Sequence, residues 1–177
     1  MQKNLVLTLS GPDRIGIVEQ VTKLVLEHNG NVDASRMARL GGEFAMLMLI
    51  AVPTENFDSL RERLRALRDD GFKITTRRTE RGHSAKYAGW MPYQIEVNGA
   101  DHEGIIHHLA RYLAEQGINI ETMDTGMFHA PMSGTPLFTM TAIVVVPPAL
   151  FNQDWRGELV DVGDKLNVDI EITPYTG

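Results

Sequence analysis

The chain has 177 residues, 43% of them hydrophobic and 23% charged, with no cysteine and a formal net charge of −6. That composition suits one globular domain, or two small ones, with enough apolar content to build a core. It excludes disulfides, thiolate nucleophiles and cysteine-zinc sites, and no apolar run reaches the roughly 20 residues of a bilayer-crossing helix. The acidic balance argues against a surface that tracks nucleic acid throughout.

From the N-terminus, residues 4–9 alternate as a half-buried strand, so the opening MQKNLVLTLSGPD reads as that strand and not as a targeting segment. The stretch SGPDRIGIV, 10–18, then turns the chain into a helical pattern over 16–28. There Ile17, Val18, Val21, Leu24 and Val25 follow the spacing of one helix face. Asp13 or Arg14 stands where that helix begins, and an acidic residue is favourable there as a cap and against the helix dipole. Asn29 and Gly30 end the helix. Residues 31–38 run into Gly41 and Gly42, a two-glycine hairpin signal, and EFAMLMLIAVP follows as a strong strand. Both faces of that strand are apolar, which predicts a sheet covered on both sides and fits association of sheets face to face or side by side. A second helix carries Phe57, Leu60, Leu64 and Leu67, and a closing strand spans 72–79.

The same order then returns. Gly11 falls on Gly99 at an offset of 88 residues, and the same offset carries Asp13 to Asp101, Gly16 to Gly104, Glu27 to Glu115 and Asn31 to Asn119. Apolar positions follow it, from Ile17 and Ile105 to Val32 and Ile120. By Pro53 and Pro147 the offset has grown to 94, and FHAPMSGTP, 128–136, accommodates the extra residues. Fixed-register identities of this kind mark a tandem duplication. The second copy predicts strands over 93–98, 119–127, 137–146 and 168–174. It predicts helices over 104–116, closed by Gln116 and Gly117, and along Trp155, Leu159, Val162 and Leu166. Each half therefore reads β-α-β-β-α-β, an α+β fold of two ferredoxin-like units with both helices on one sheet face. The expected domains are 1–80 and 92–177, joined by a polar, glycine-bearing linker, 81–91.

SGPDRIGIV is the candidate site. Gly11 and Gly16 have P-loop spacing, but Ile17 and Val18 stand where a phosphate loop needs Lys and Ser or Thr, and the element order is wrong for a dinucleotide fold. What remains is a loop whose backbone something approaches closely. Gly11 leaves its backbone open, amides near Ile15 and Gly16 suit a carboxylate, Asp13 suits an ammonium group, and Asn31 offers a donor and an acceptor. Such a set fits a free amino acid. The same residues also make a plain capped turn that binds nothing, and the residues alone do not choose.

The pattern G-x-D-R-x-G-[IV], followed about fifteen residues later by Asn31 and Val32, resembles the ACT domain family of amino-acid-sensing modules. The tandem arrangement, the length and SRMARLGGEFAMLMLI resemble, within that family, the two-domain transcriptional regulators of glycine cleavage. The resemblance implies ligand contacts at Gly11, Asp13, Arg14, Ile15, Gly16 and Asn31, and at Gly99, Asp101, Glu103, Gly104 and Asn119. It implies glycine or a similar amino acid as ligand, no catalysis, no cofactor, a cytoplasmic location and control of transcription through a separate DNA-binding protein. The second copy departs from the pattern, with Ala100 for Pro12, His102 for Arg14 and Glu103 for Ile15. The added acid disfavours a carboxylate there, which predicts an altered or silent second site.

Other features read more plainly. His102, His107 and His108 do not share a helix face, so no metal is expected. The basic run from Arg61 through Arg63, Arg65, Arg68, Lys73, Arg77 and Arg78 to Arg81 is interrupted by acids and reads as a solvated face. Its alternative is direct nucleic-acid binding, which is not expected. FHAPMSGTP is either a flap or a surface loop. Met46, Met48, Met123, Met127 and Met140 alternate along strands as core or interdomain packing. Association of chains is left open, with no membrane partner expected.

Overall fold

The computed structural model describes residues 1–79, 86–131 and 133–176. The chain divides into two compact units, Met1–His83 and Ser84–Gly177. The first is built from β1 (Gln2–Pro12), α1 (Ile17–Glu27), β2 (Asn31–Leu40), β3 (Glu43–Pro53), α2 (Phe57–Ala66) and β4 (Lys73–Thr79). The second repeats it with β5 (Met91–Ala100), α3 (Ile105–Glu115), β6 (Asn119–His129), β7 (Pro136–Val146), α4 (Trp155–Lys165) and β8 (Val168–Pro174). The sheets are ordered β2-β3-β1-β4 and β6-β7-β5-β8, with antiparallel pairing throughout.

Period-two alternation puts Leu5, Leu7 and Leu9 of β1 and Met46, Met48 and Ile50 of β3 on one face. Ile17, Val21 and Val25 of α1 and Phe57, Leu60 and Leu64 of α2 close over that face, so both helices lie on the same side. The second core has the same plan, from Ile95, Val97, Met140 and Val144 under Ile105, Leu109, Trp155 and Leu159. Tyr112 locks its two helices together, its hydroxyl donating to the Trp155 carbonyl at 2.8 Å. The fold is the expected α+β tandem of ferredoxin-like units.

Several local expectations need correction. Val18, expected on the apolar face of its helix, is 38% exposed, and its register partner Ile106 is 42% exposed, because one further position turns each off the core. Asp13 and Asp101 do not cap their helices. Gly16 and Gly104 hold the N-cap positions, both at φ 92, with no side-chain cap. At the end of α1 the left-handed residue is Asn29 (φ 55), the register partner of Gly117 (φ 70), and not Gly30. Gly30 serves packing instead: a Cβ there would lie 2.9 Å from Val25 and 3.2 Å from the Ala51 carbonyl. In the single chain the second face of β3 is open, with Leu47 49% exposed, which leaves it available for the association its apolar pattern predicts. Met127 is exposed rather than packed, while Met46, Met48 and Met140 are buried.

The Gly41 and Gly42 turn is as expected, with φ 58 and 86 linking β2 directly to β3. In the second unit the strands run further into FHAPMSGTP than expected, and Phe128, His129 and Pro136 pair within the ladder. Of the linker 81–91, residues 81–85 lie outside the described residues. Next to them Tyr87 and Trp90 meet edge-on at 4.8 Å.

Candidate functional site

The loop between β1 and α1 is held on three sides by its own unit. The Asp13 amide donates to the Gly42 carbonyl at 3.1 Å, which fastens the loop to the β2–β3 turn. Gly11 lies against the turn that begins β4: a Cβ there would sit 2.7 Å from the Phe72 ring. The space that a glycine frees at this position is therefore filled by Phe72. Arg14 completes the hold. Its guanidinium stacks over Phe72 at 4.7 Å and donates to Gln20 at 2.7 Å and Asp70 at 3.4 Å, while the Gln20 amide donates to Asp70 at 3.1 Å.

The second unit repeats the frame with different side chains. The Asp101 amide donates to the Pro136 carbonyl at 3.1 Å, and Gly99 presses on Asn167 and Val168, the counterparts of Gly71 and Phe72. His102 replaces Arg14 as the pin. Its Nε2 lies 2.6 Å from the Leu166 carbonyl and its Nδ1 3.1 Å from the Glu103 carbonyl. Those two carbonyl contacts, Leu166 first, raise the imidazole pKa above its ordinary value; Asp101 adds to this and desolvation opposes it.

Not every candidate residue reaches this loop. Gly11, Asp13, Arg14, Ile15 and Gly16 come together, and so do Gly99, Asp101, Glu103 and Gly104. Asn31 pairs with Ala51, which pairs with Asn4, and so stands at the far end of the sheet. Seven strand residues separate Asn4 from Gly11, roughly 24 Å. Asn119 is displaced likewise, across Val145 from Pro92. These asparagines are engaged locally, Asn31 with Asp33 at 3.0 Å and Asn119 with Glu121 at 2.6 Å. A single ligand that uses both the loop and the asparagine must draw them from two copies of the fold.

At the loop tip Ile15 is fully exposed and Glu103 is exposed at the matching position. Asp13 keeps a solvent-accessible carboxylate, 3.7 Å from Arg39 Nε, a separation that carries little energy at the surface. Asp70, Phe72 and Leu166 have no counterpart in the sequence pattern, since no local signal links residues more than 50 apart; Gln20, six residues after Arg14, stands one helical turn inside α1 with no motif to mark it. The basic run is partly structural: Arg61 lies over Phe57 at 5.7 Å and Arg68 donates to the Ile74 carbonyl at 2.7 Å. Arg81 lies outside the described residues. Among the described residues no three His, Asp or Glu side chains gather as a metal-ligand set.

Residues 3–76 match the family model of the ACT domain. The first unit is an ACT domain, and the second repeats its ferredoxin-like topology, so the chain is a tandem of two such folds. The chain is similar to the glycine cleavage system transcriptional repressor of Escherichia coli, 44% identical over 50 residues, 28% of this chain and 26% of that one. It is also 38% identical over 53 residues to a UPF0237 protein of Methanosarcina mazei, covering 30% of this chain and 58% of that one. The matches thus span well under two thirds of these relatives. Among solved structures, one described as an unknown protein from Galdieria sulphuraria superposes with a TM-score of 0.86 at 31% identity, over 99% of this chain and 100% of that one. Another, provisionally described as a glycine cleavage system transcriptional repressor, shares the fold over 100% of this chain and 99% of that one, with a TM-score of 0.69 at 21% identity.

Proposed function

We propose that this protein is a non-catalytic sensor of a free amino acid, glycine or a close relative, that regulates transcription of glycine cleavage through a DNA-binding partner protein. The observation that carries the reading is the ACT domain at residues 3–76, followed along the chain by a second copy of its fold. The resemblance to the Escherichia coli repressor supports the glycine-related regulatory role.

The proposed ligand contacts are the loop residues Asp13, Ile15 and Gly16, with Gly11 and Arg14 holding their backbone in place, and Asn31 from another copy of the fold. The loop offers amides at a helix start for the carboxylate and Asp13 for the ammonium group. Gly99, Asp101, Glu103, Gly104 and Asn119 form the second, weaker set, because Glu103 puts a carboxylate where the ligand's own would lie.

Thermal unfolding against a panel of amino acids tests this reading. A ligand at about a hundred times its dissociation constant adds roughly 2.7 kcal/mol to the folded state and raises the midpoint by roughly 5–10 °C. Glycine or a near relative is expected to do so, and Asp13→Ala and Asn31→Ala are expected to abolish the shift. If no amino acid moves the midpoint, the sensor reading falls. The pure chain is expected to give no gel shift with duplex DNA at low salt. A shift that weakens steeply with salt would replace the partner-mediated reading with direct binding.

A further inference from the structure

Each sheet buries one face under its helices, and the register fixes what stands on the other. Residues directly opposite across a ladder share a face. In the first unit the uncovered rows include Arg36–Leu47–Thr8–Thr75 and Ala34–Leu49–Val6–Arg77, with Lys73 opposite Ser10 one row further on. The edge strands β2 and β4 therefore carry the cations Arg36, Lys73 and Arg77, and the middle strands are apolar around Leu47 and Leu49. Glu43 sits at the hairpin margin.

In the second unit the corresponding rows read Asp124–Thr141–Glu96–Glu171 and Gly126–Thr139–Asn98–Asp169. The edge strands β6 and β8 carry Asp124, Asp169 and Glu171, the middle strands carry Glu96 opposite Thr141 with Ile143 and Val145 further along β7, and none of these rows bears a cation. Glu96 and Glu171 are directly opposite one another, an arrangement that costs free energy in an isolated sheet. Arg36, Lys73, Arg77, Asp124, Asp169 and Glu171 are all exposed in the single chain. A face with basic edges around Leu47 and Leu49 and a face with acidic edges around Glu96, Ile143 and Val145 thus coexist on one polypeptide.

We propose that the uncovered sheet face of the first unit docks on the uncovered sheet face of the second unit in another copy of the chain. A twofold axis makes the contact twice, so that all four faces close and no surface is left to propagate a fibre. Edge strands then meet edge strands, cations against carboxylates, with Leu47 and Leu49 against Ile143 and Val145. Four strands about 4.8 Å apart and the length from Asn4 to Ser10 give roughly 450 Å² per face, hence roughly 1,800 Å² over four faces, within the range of stable interfaces. The like-charge row on β5 and β8 gains its counterions from the partner.

The experiment is sedimentation of the full-length chain and two charge-reversed variants, alone and mixed. One carries Arg36→Glu with Arg77→Glu, the other Asp124→Lys with Glu171→Lys. Wild type is expected to be a dimer that weakens with salt. Each variant alone puts like charge on both faces, and its dissociation constant is expected to rise about tenfold or more. Mixed together, the two variants are expected to restore a dimer with one chain of each kind. A monomeric wild type, variants that dimerise undiminished, or a mixture that stays monomeric would each overturn the proposal. The wild-type measurement separates it from docking of the two faces within one chain, which would leave the wild type monomeric. All four positions are exposed, and far-UV circular dichroism checks that each variant is folded. Should either pair unfold the chain, the salt dependence of the wild-type dimer decides alone, and a dimer indifferent to salt overturns the proposal.

Discussion

The two β-to-α loops share a backbone and differ in what pins it. Both have a glycine pressed on the turn before the last strand, an aspartate amide bonded to the hairpin, and a left-handed glycine at the helix start. In the first unit the pin is Arg14, stacked on Phe72 and bonded to Gln20 and Asp70; in the second it is His102, held between two carbonyls. The comparison separates what duplication keeps from what it lets vary. Backbone geometry that a close approach enforces is kept, whereas the side chain that ties the loop down changes its chemistry from a permanent cation to a titratable one.

The largest expected effect sets one glycine against the other. A Cβ at Gly99 would lie 2.8 Å from the Asn167 carbonyl oxygen and 2.9 Å from the Val168 Cα, so the β8 backbone has to move. At Gly11 the tight neighbours are the Phe72 ring atoms, with the Gly71 carbonyl at 3.4 Å, and a ring can tilt. Gly99→Ala is expected to destabilise its unit by about 2–3 kcal/mol and Gly11→Ala by about 1 kcal/mol. Both tryptophans, Trp90 and Trp155, lie in the second unit, so their fluorescence in denaturant reports that unit alone. Equal costs at the two sites would mean that β8 yields as easily as a side chain.

Arg14→Ala comes next. The stack at 4.7 Å and a 3.4 Å contact to a solvent-accessible carboxylate are worth about 0.5–1 kcal/mol together, measured by circular dichroism at the unfolding of the first unit. Arg14→Lys is expected to recover only part of this, because an ammonium group cannot stack flat on Phe72 while reaching both Gln20 and Asp70. Full recovery by lysine would reduce the pin to a bare charge contact.

Much of this could be read from the chain itself. Period-two strands, the two-glycine turn and the fixed-register repeat are local or self-similar signals, and they carried the element order and the α+β class. Helix caps did not follow, because Asp13 and Asp101 look like caps while the chain actually enters each helix through a left-handed glycine three residues later. Nor did the roles of Gly11 and Gly99, since the groups that crowd them begin the last strand of each unit. The far placement of Asn31 needed the sheet register, which places the start of β2 beside Ala51 and Asn4, away from the loop. Val18 falls off its helix face for a simpler reason: an apolar residue next to a helix face is not on it.

The smallest effect is one of pH, and it tests the difference between the pins most directly. His102 has a carbonyl oxygen at each ring nitrogen, 2.6 Å and 3.1 Å away, and carbonyls only accept. A neutral imidazole has one N–H and can satisfy one of them, whereas the imidazolium has two. The folded-state pKa is therefore raised above the unfolded value of about 6.5, by the Leu166 contact first and the Glu103 contact second. A raised histidine pKa stabilises the fold fully below the unfolded pKa, and that stabilisation is lost as pH rises through the folded pKa. The second unit is thus expected to have its His102 contribution at acid pH and to lose it above the folded pKa. Tryptophan-detected unfolding of wild type and His102→Gln across this range isolates the effect, since glutamine keeps a single neutral donor group and does not titrate. An NMR titration assigns the pKa itself. If the His102 resonances titrate at or below the value in an unfolded peptide, the ring is not held between two acceptors and the second loop is pinned by its backbone alone.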